Sequence, residues 1–309
     1  MKVLVTGGAG FIGSHIVDAL IDGGHSVVVL DHQKEDRPRH LNASATYKQY
    51  DLSDERVQTL FRDESFDGVC HLAAQISVTK SVNDPVHDAE RNILDAISLL
   101  ELARKHGTKR FVFASSGGAI YGDHPERPTG LLTDAKPISP YGVSKQAFER
   151  YLHAQKDVQA VTLRMSNVYG PRQASKGESA VVATFIDRLL EGEPVQIFGD
   201  GHSTRDYLYV HDAVEAFVQA LEGEAEGIVN VASGEETSLL RLWETLLSVH
   251  GKQHPMKHAP ARRGEVKRSV LDPSSAHEVL GWAPKTSLEK GLRETHTWFT
   301  DAYGTDSSE

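Results

Sequence analysis

Lys2-Val3-Leu4-Val5-Thr6-Gly7-Gly8-Ala9-Gly10-Phe11-Ile12-Gly13-Ser14 decides how the rest of the chain is read. A short apolar, β-branched run ends on a glycine cluster, and a helical pattern, Phe11–Gly23, opens directly behind it. Two nested spacings are present, Gly8-x-Gly10-x-x-Gly13 and Gly7-x-x-Gly10-x-x-Gly13. In a strand-turn-helix of this kind one glycine allows the tight turn, one lets backbone approach a pyrophosphate, and one lets the helix pack close to the strand. The diphosphate then faces the free N–H groups and positive dipole end of the helix. The next apolar run, Ser26–Asp31, ends in an acid 18 residues after Gly13, where a carboxylate meets a ribose hydroxyl. Asp31 would repel a 2′-phosphate, so the pattern predicts NAD in place of NADP. Arg37 and Arg39 read as solvated loop residues.

Outward from this unit the same rhythm continues. Gly68–Leu72, Arg110–Ser115 and Ala160–Met165 read as strands, and Asp54–Asp63, His87–His106 and Tyr141–Ala154 as helices; Val210–Leu221 and Gly227–Ala232 add a further helix and strand. Strand and helix in alternation imply an α/β fold, a doubly wound parallel sheet of the Rossmann type. Pro-rich Gly122–Pro140 and polar Gly170–Ser179 interrupt it as loops, where ligand-binding residues concentrate. From about Ser238 the rhythm breaks into helices and loops, which suggests a smaller C-terminal α/β substrate domain. The expected division is 1–170 with about 207–232 for the dinucleotide, and about 171–206 with 233–309 for the substrate. The tail Gly304–Glu309 reads as frayed.

Composition limits the partners. Lys plus Arg is 33 against 43 for Asp plus Glu, a net charge of −10, which disfavours a nucleic-acid backbone. One cysteine, Cys70, excludes an intrachain disulfide and a multi-cysteine metal site. No apolar run approaches the roughly 18 residues of a membrane span, and the start of the chain lacks a signal-peptide core, so a cytoplasmic protein is expected. His250, His254 and His258 stand four apart, but Gly251 and Pro255 interrupt any helix there, and they read as a His-rich surface loop with no metal. Cys70 reads as core, Trp243, Trp282 and Trp298 as core or interface anchors, and Asp212 as a cap or ion pair.

The chemistry centres on Tyr141-Gly142-Val143-Ser144-Lys145, which puts a tyrosine and a lysine on one helix face. A cation there is expected to lower the tyrosine pKa toward the range of a general base. Ser115-Ser116 ends a strand at the carboxyl edge of the sheet, where a hydroxyl can bond the reacting oxygen.

Together with His71-Leu72-Ala73-Ala74, Phe113-Ala114-Ser115-Ser116-Gly117-Gly118-Ala119-Ile120-Tyr121-Gly122, Leu163-Arg164-Met165-Ser166-Asn167-Val168-Tyr169-Gly170-Pro171-Arg172, Gly199-Asp200-Gly201 and Thr204-Arg205-Asp206-Tyr207, these motifs resemble the nucleotide-sugar epimerase branch of the extended short-chain dehydrogenase/reductases. The resemblance covers nearly the whole chain. It implies inversion at C4 of a UDP-hexose with tightly held NAD, in a homodimer paired through helices near His87–His106 and Tyr141–Ala154. It implies Tyr141 as base, Lys145 as its partner, and Ser116 as the catalytic hydroxyl with Ser115 as the alternative. On the cofactor side it implies Gly7, Gly10, Phe11, Ile12, Gly13, Asp31, Asp51, Leu52, Ala73, Ala74, Gln75, Asn92, Ser115, Tyr141 and Lys145, the last bonding the nicotinamide ribose. Asn167, Phe198, Arg205 and Arg262 are implied for the UDP group, and Ser269 beside the sugar C2 substituent, where a small residue leaves room for an N-acetyl group. Two positions depart from the pattern: Arg263 replaces a frequent proline, so either Arg262 or Arg263 is the clamp, and Asp95 replaces a frequent glycine. Gly117-Gly118-Ala119 lacks the acid that dehydratases and decarboxylases of this fold carry after the catalytic hydroxyl. The other readings are a UDP-glucuronate 4-epimerase, a nucleotide-sugar dehydratase or decarboxylase of the same fold, and a non-catalytic NAD-binding regulator.

Overall fold

The computed structural model describes residues 1–33, 38–175, 180–261 and 266–306. In chain order it runs β1 (Lys2–Thr6), α1 (Phe11–Asp22), β2 (Ser26–Asp31), β3 (Thr46–Gln49), α2 (Arg56–Asp63), β4 (Gly68–His71), α3 (Val78–Asn83) and α4 (Pro85–Ala89). A π turn (Glu90–Leu94) leads into α5 (Asp95–Lys105), then β5 (Arg110–Ser116), α6 (Gly117–Ile120), α7 (Pro140–Ala154), β6 (Gln159–Met165) and β7 (Asn167–Tyr169). The second half holds α8 (Val181–Glu191), β8 (Val195–Phe198), β9 (Thr204–Arg205), β10 (Tyr207–Tyr209), α9 (Val210–Glu222), β11 (Gly227–Val231), β12 (Thr237–Ser238), α10 (Leu239–His250), β13 (Met256–Ala259), α11 (Ser274–Leu280) and α12 (Leu288–Asp306).

Seven strands form one parallel sheet in the order β11-β6-β5-β4-β1-β2-β3. Strand residues alternate between two cores. Val3 and Val5 join Ile16 of α1 and Phe217 of α9 on one face, while Leu4 joins Phe61 of α2, Leu99 of α5 and Phe148 of α7 on the other. Side chains of period two with helices covering both faces explain why these strands read as unbroken apolar runs. The order reverses between β1 and β4, and open α/β sheets bind their ligands at that switch point.

Three two-stranded pairs stand outside the large sheet: β7 with β10, β8 with β13, and β9 with β12. The core on the α1 face continues into them through Phe185, Leu242, Trp282 and Leu292. The sequence pattern missed these short strands, together with β3, α3, α6 and α8. Two- to four-residue strands have too few positions to display a period, and β3 is a half-exposed edge of Thr-Tyr-Lys-Gln. The His87–His106 helix is broken by the π turn, and α12 continues to Asp306, while 307–309 of the tail expected to fray lie outside the described residues. Among the described residues no helix is long and apolar enough to cross a membrane.

Candidate active site

Gly7 has φ +70, and a Cβ there would lie 2.8 Å from the Ala73 amide nitrogen, so β1 and the end of β4 approach as closely as backbone allows. The Ala73 N–H donates to the Thr6 carbonyl at 3.1 Å. α1 starts at Phe11 with Gly10 at its N-cap, no side-chain cap and no acid in the first turn, leaving its leading N–H groups for an external anion. Gly13 packs that first turn against Gly7, where a Cβ would sit 2.1 Å from the Gly7 carbonyl oxygen. Asp31, buried at the end of β2, accepts the Ala9 N–H at 3.0 Å and the Gln33 N–H at 3.3 Å. A carboxylate has about four lone-pair sites, so acceptor capacity remains for ribose hydroxyls. An uncapped helix start, a Cβ-free cradle and a buried acid fit a dinucleotide with an unmodified 2′-hydroxyl.

The rest of the crevice is closed by polar pairing. Asp51 accepts Arg91 Nη1 at 2.9 Å, and Leu52 packs against the core of the α5 face. Gln75 follows Ala74 out of β4, and its backbone N–H donates to Asn92 Oδ1 at 2.9 Å while Asn92 Nδ2 returns a bond to the Gln75 carbonyl at 2.9 Å. Asn92 lies in the π turn, whose irregular winding re-aims side chains toward a site. Arg39 is exposed; Arg37 lies outside the described residues.

The two serines at the end of β5 meet different residues of α7. Ser115 Oγ donates to Glu149 Oε1 at 2.6 Å, and Arg164 grips the same carboxylate at 2.7 Å through Nη2. Ser116 instead faces the Tyr141 phenol. α7 presents Tyr141 because Ser139 caps it by accepting the Gly142 N–H at 3.2 Å and Pro140 fills its first turn. Lys145, four residues on, is buried; its Nζ donates to the Ala114 carbonyl at 2.9 Å and stands 4.7 Å from the Phe113 ring centroid and 5.9 Å from that of Tyr141.

The expectation that Lys145 lowers the Tyr141 pKa is corrected here. Burial, reinforced by the Asp88 carboxylate, pushes the phenol up to about 12, against the pull of the Ser116 hydrogen bond. Burial likewise takes the Lys145 ammonium down to about 8, opposed by Glu149 and Asp88. Desolvation is the largest cause for both groups and penalises both charged forms.

Residues expected on the substrate side are spread over the short strands. Asn167 opens β7 and Phe198 ends β8, both half-buried. Arg205 on β9 donates from Nη1 to the Thr204 carbonyl at 2.8 Å. The Ser269 N–H donates to the same Thr204 carbonyl at 3.2 Å, and a Cβ on Gly118 would lie 3.7 Å from Ser269 Oγ, so Ser269 looks onto the turn that follows Ser116. Arg262, Arg263 and Glu265 lie outside the described residues. Sequence reasoning missed the buried acids that organise the site. Asp206 accepts the Ser233 and Gly234 N–H groups at 2.9 and 3.1 Å and ties β9 to the Leu271 segment. Asp88 accepts Ser144 Oγ at 2.6 Å. The one available signal was the Thr204-Arg205-Asp206-Tyr207 motif; nothing in the pattern singled out Asp88.

The three spaced histidines do not converge. His250 pairs with His296 at 3.0 Å, His254 with the Glu193 carbonyl at 2.8 Å, and His258 with the Gly199 carbonyl at 2.8 Å. Among the described residues no three His, Cys, Asp or Glu side chains are grouped to hold a metal. Cys70 is fully buried, which pushes its thiol up to about 12. Asp212 accepts the Lys285 and Thr286 N–H groups at 3.2 and 2.9 Å, a structural tie to the chain before α12. Trp243 and Trp282 are buried, and Trp298 packs edge-on against His40.

Residues 3–232 match the NAD dependent epimerase/dehydratase family. UDP-glucose 4-epimerase of Mycolicibacterium smegmatis is 41% identical over 309 residues, covering 97% of this chain and 98% of that protein. Among solved structures, UDP-glucose 4-epimerase of Thermotoga maritima with UDP-glucose superposes with a TM-score of 0.93 at 43% identity, covering 98% of this chain and 100% of that one. The Thermus thermophilus UDP-glucose 4-epimerase complex with NAD gives 0.92 at 42% identity with the same coverage.

Proposed function

The chain belongs to the NAD dependent epimerase/dehydratase family, and from that premise we propose that it inverts C4 of a UDP-hexose, interconverting UDP-glucose and UDP-galactose. The observation that carries this reading is the Ser116–Tyr141–Lys145 set at the carboxyl end of β5, two strands from the β1 glycine turn. In the reaction Tyr141 Oη takes the sugar O4 proton and later gives it back, and Ser116 Oγ holds the phenol and O4 in line. Lys145 supplies the positive charge that the phenolate needs, at the cost of leaving its carbonyl partner. Asp31 holds the cofactor ribose, and the first turn of α1, flanked by Ala73 and Ala74, holds its diphosphate. Bound there, NAD supplies the oxidation and re-reduction at C4. Asn167, Arg205 and either Arg262 or Arg263 hold the UDP diphosphate, with Phe198 against the uracil, while the sugar presents first one face and then the other. Arginine suits this because its planar fork binds phosphate oxygens bidentately.

The division into a cofactor part, 1–170 with about 207–232, and a substrate part belongs to the same proposal. So do a cytoplasmic setting and a homodimer. Val82, Val86 and Leu94 on the α3–α5 face, with Val143 and Tyr151 of α7, are half or more exposed, an apolar surface suited to a second copy of this chain. The reaction is tested by incubating the purified protein with UDP-glucose, UDP-galactose and UDP-glucuronate, identifying the products, and identifying the nucleotide released on denaturation. Interconversion of the first two with NAD released supports the reading; NADP, turnover of the uronate alone, or retained NAD with no turnover at all removes it.

Ser269 refines the substrate range. Its small side chain stands beside Gly118; the family resemblance puts this position by the sugar C2 substituent, so the N-acetylated pair is expected to be used as well as the plain hexoses. Ser269→Tyr should suppress UDP-N-acetylglucosamine turnover by about 10-fold or more relative to UDP-glucose, since overpacking a fixed cavity costs about 1–3 kcal/mol. An unchanged ratio of the two activities takes Ser269 out of the pocket.

A further inference from the structure

We propose that Asp88 is a positioning residue for the catalytic pair: its buried carboxylate, delivered by α4, sets the proton balance between Tyr141 and Lys145. Asp88 is fully buried and touches α7 at Ser144, three residues after Tyr141 and one before Lys145, so it lies against the face that carries the tyrosine. Its surroundings supply donors only. Ser144 Oγ reaches Oδ2 at 2.6 Å, and Gln75 Nε2 and Asn92 Nδ2 reach Oδ1 at 2.8 and 3.0 Å.

Both amides are fixed in that sense by backbone groups. Asn92 exchanges two bonds with the Gln75 main chain, and Gln75 accepts the Ser77 N–H at 2.6 Å while donating to the Ser77 carbonyl at 3.0 Å. Three donors converging on one buried carboxyl is the pattern of an anion. Gln75 and Asn92 thereby connect the cofactor crevice to the charge beneath the base.

That charge acts on both partners in one direction. It disfavours the phenolate and favours the ammonium, so it raises Tyr141 and holds Lys145 up against burial. The other groups around the pair differ in kind. Glu149 also faces Lys145, but Arg164 of β6 neutralises it, and His71 of β4 is held far down by burial at about 3 and is uncharged. Near Asp88 itself, Lys80 of α3, Asp84 and Glu90 are exposed and His87 is half-exposed, while Arg91 and Asp95 pair with each other at 2.9 Å.

Asp88→Asn tests the charge with the shape kept. Its oxygen can take both amides, and its NH₂ can donate to a reversed Ser144 hydroxyl. The proposal rests on Tyr141 as the base, so two readouts are taken on the protein as purified. The pH profile of epimerisation should move both limbs to lower pH by about one unit or more. Ultraviolet titration of tyrosinate, as the difference from the same protein carrying Tyr141→Phe, should show Tyr141 ionising at correspondingly lower pH; it needs no substrate and stands apart from the proposed reaction. Ser144→Ala, which removes the bond but keeps the charge, should leave the limbs within a few tenths of a unit of wild type. Should the asparagine variant not fold, Asp88→Ser is expected to give the same acidward shift. Limbs and tyrosinate ionisation unmoved in the neutral variants, whatever the loss of rate, would overturn the proposal, as would an equal shift in Ser144→Ala.

Discussion

Tyr141→Phe is expected to lower the rate of epimerisation by about 10²–10⁴-fold while NAD and UDP stay bound, because it removes one hydroxyl and leaves the ring volume unchanged. Tyr141 Oη faces Ser116 at the end of β5, two strands from the β1 glycine turn. The loss should therefore fall on kcat, with nucleotide content equal to wild type after release and chromatography. Near-normal kcat takes Tyr141 out of the mechanism. A loss of bound NAD equal to the loss of rate would mean that the phenol holds the cofactor and does not move a proton.

Gly13→Ala should do comparable damage by another route. The added methyl carbon would lie 2.1 Å from the Gly7 carbonyl oxygen and 2.7 Å from the Gly8 Cα, both rigid backbone atoms, so α1 must swing away from the turn. An overlap this deep exceeds ordinary overpacking, and a loss on the order of 3 kcal/mol or more is expected, with little NAD retained. Gly10→Ala makes the contrast, since its methyl would meet only the Gly7 carbonyl oxygen at 3.2 Å. Thermal denaturation and the nucleotide content of the two variants check this. Equal melting points and equal NAD content would show that the turn does not depend on the Gly13 contact.

Much of this architecture is legible in the chain because of where its strands lie. Val3–Thr6, Val27–Asp31 and Phe111–Ser115 are buried on both faces, so they appear as unbroken apolar runs between helical patterns. Gly7 and Gly13 mark the turn because close backbone approach leaves no space for a side chain there. Tyr141 and Lys145 show as a pair because one helix turn separates them. What stayed hidden depends on contacts between distant segments. Ser115 and Ser116 are equivalent in sequence, and only the packing of α7 on β5 brings one to Glu149 and the other to Tyr141. Asp88 looks like any helix-surface acid until α4 folds against α7 and buries it. The direction of the Tyr141 pKa followed from neither spacing nor charge type, because burial, reinforced by Asp88, decides it.

The central claim is that one site removes and restores hydrogen at C4 of the same sugar. Its most direct test uses UDP-galactose carrying deuterium at C4, incubated with the purified protein and no added nucleotide, with the product read by nuclear magnetic resonance. The account predicts UDP-glucose that keeps the deuterium at C4. Product in which the label has exchanged with solvent, or unchanged UDP-galactose in the presence of bound NAD, would contradict it.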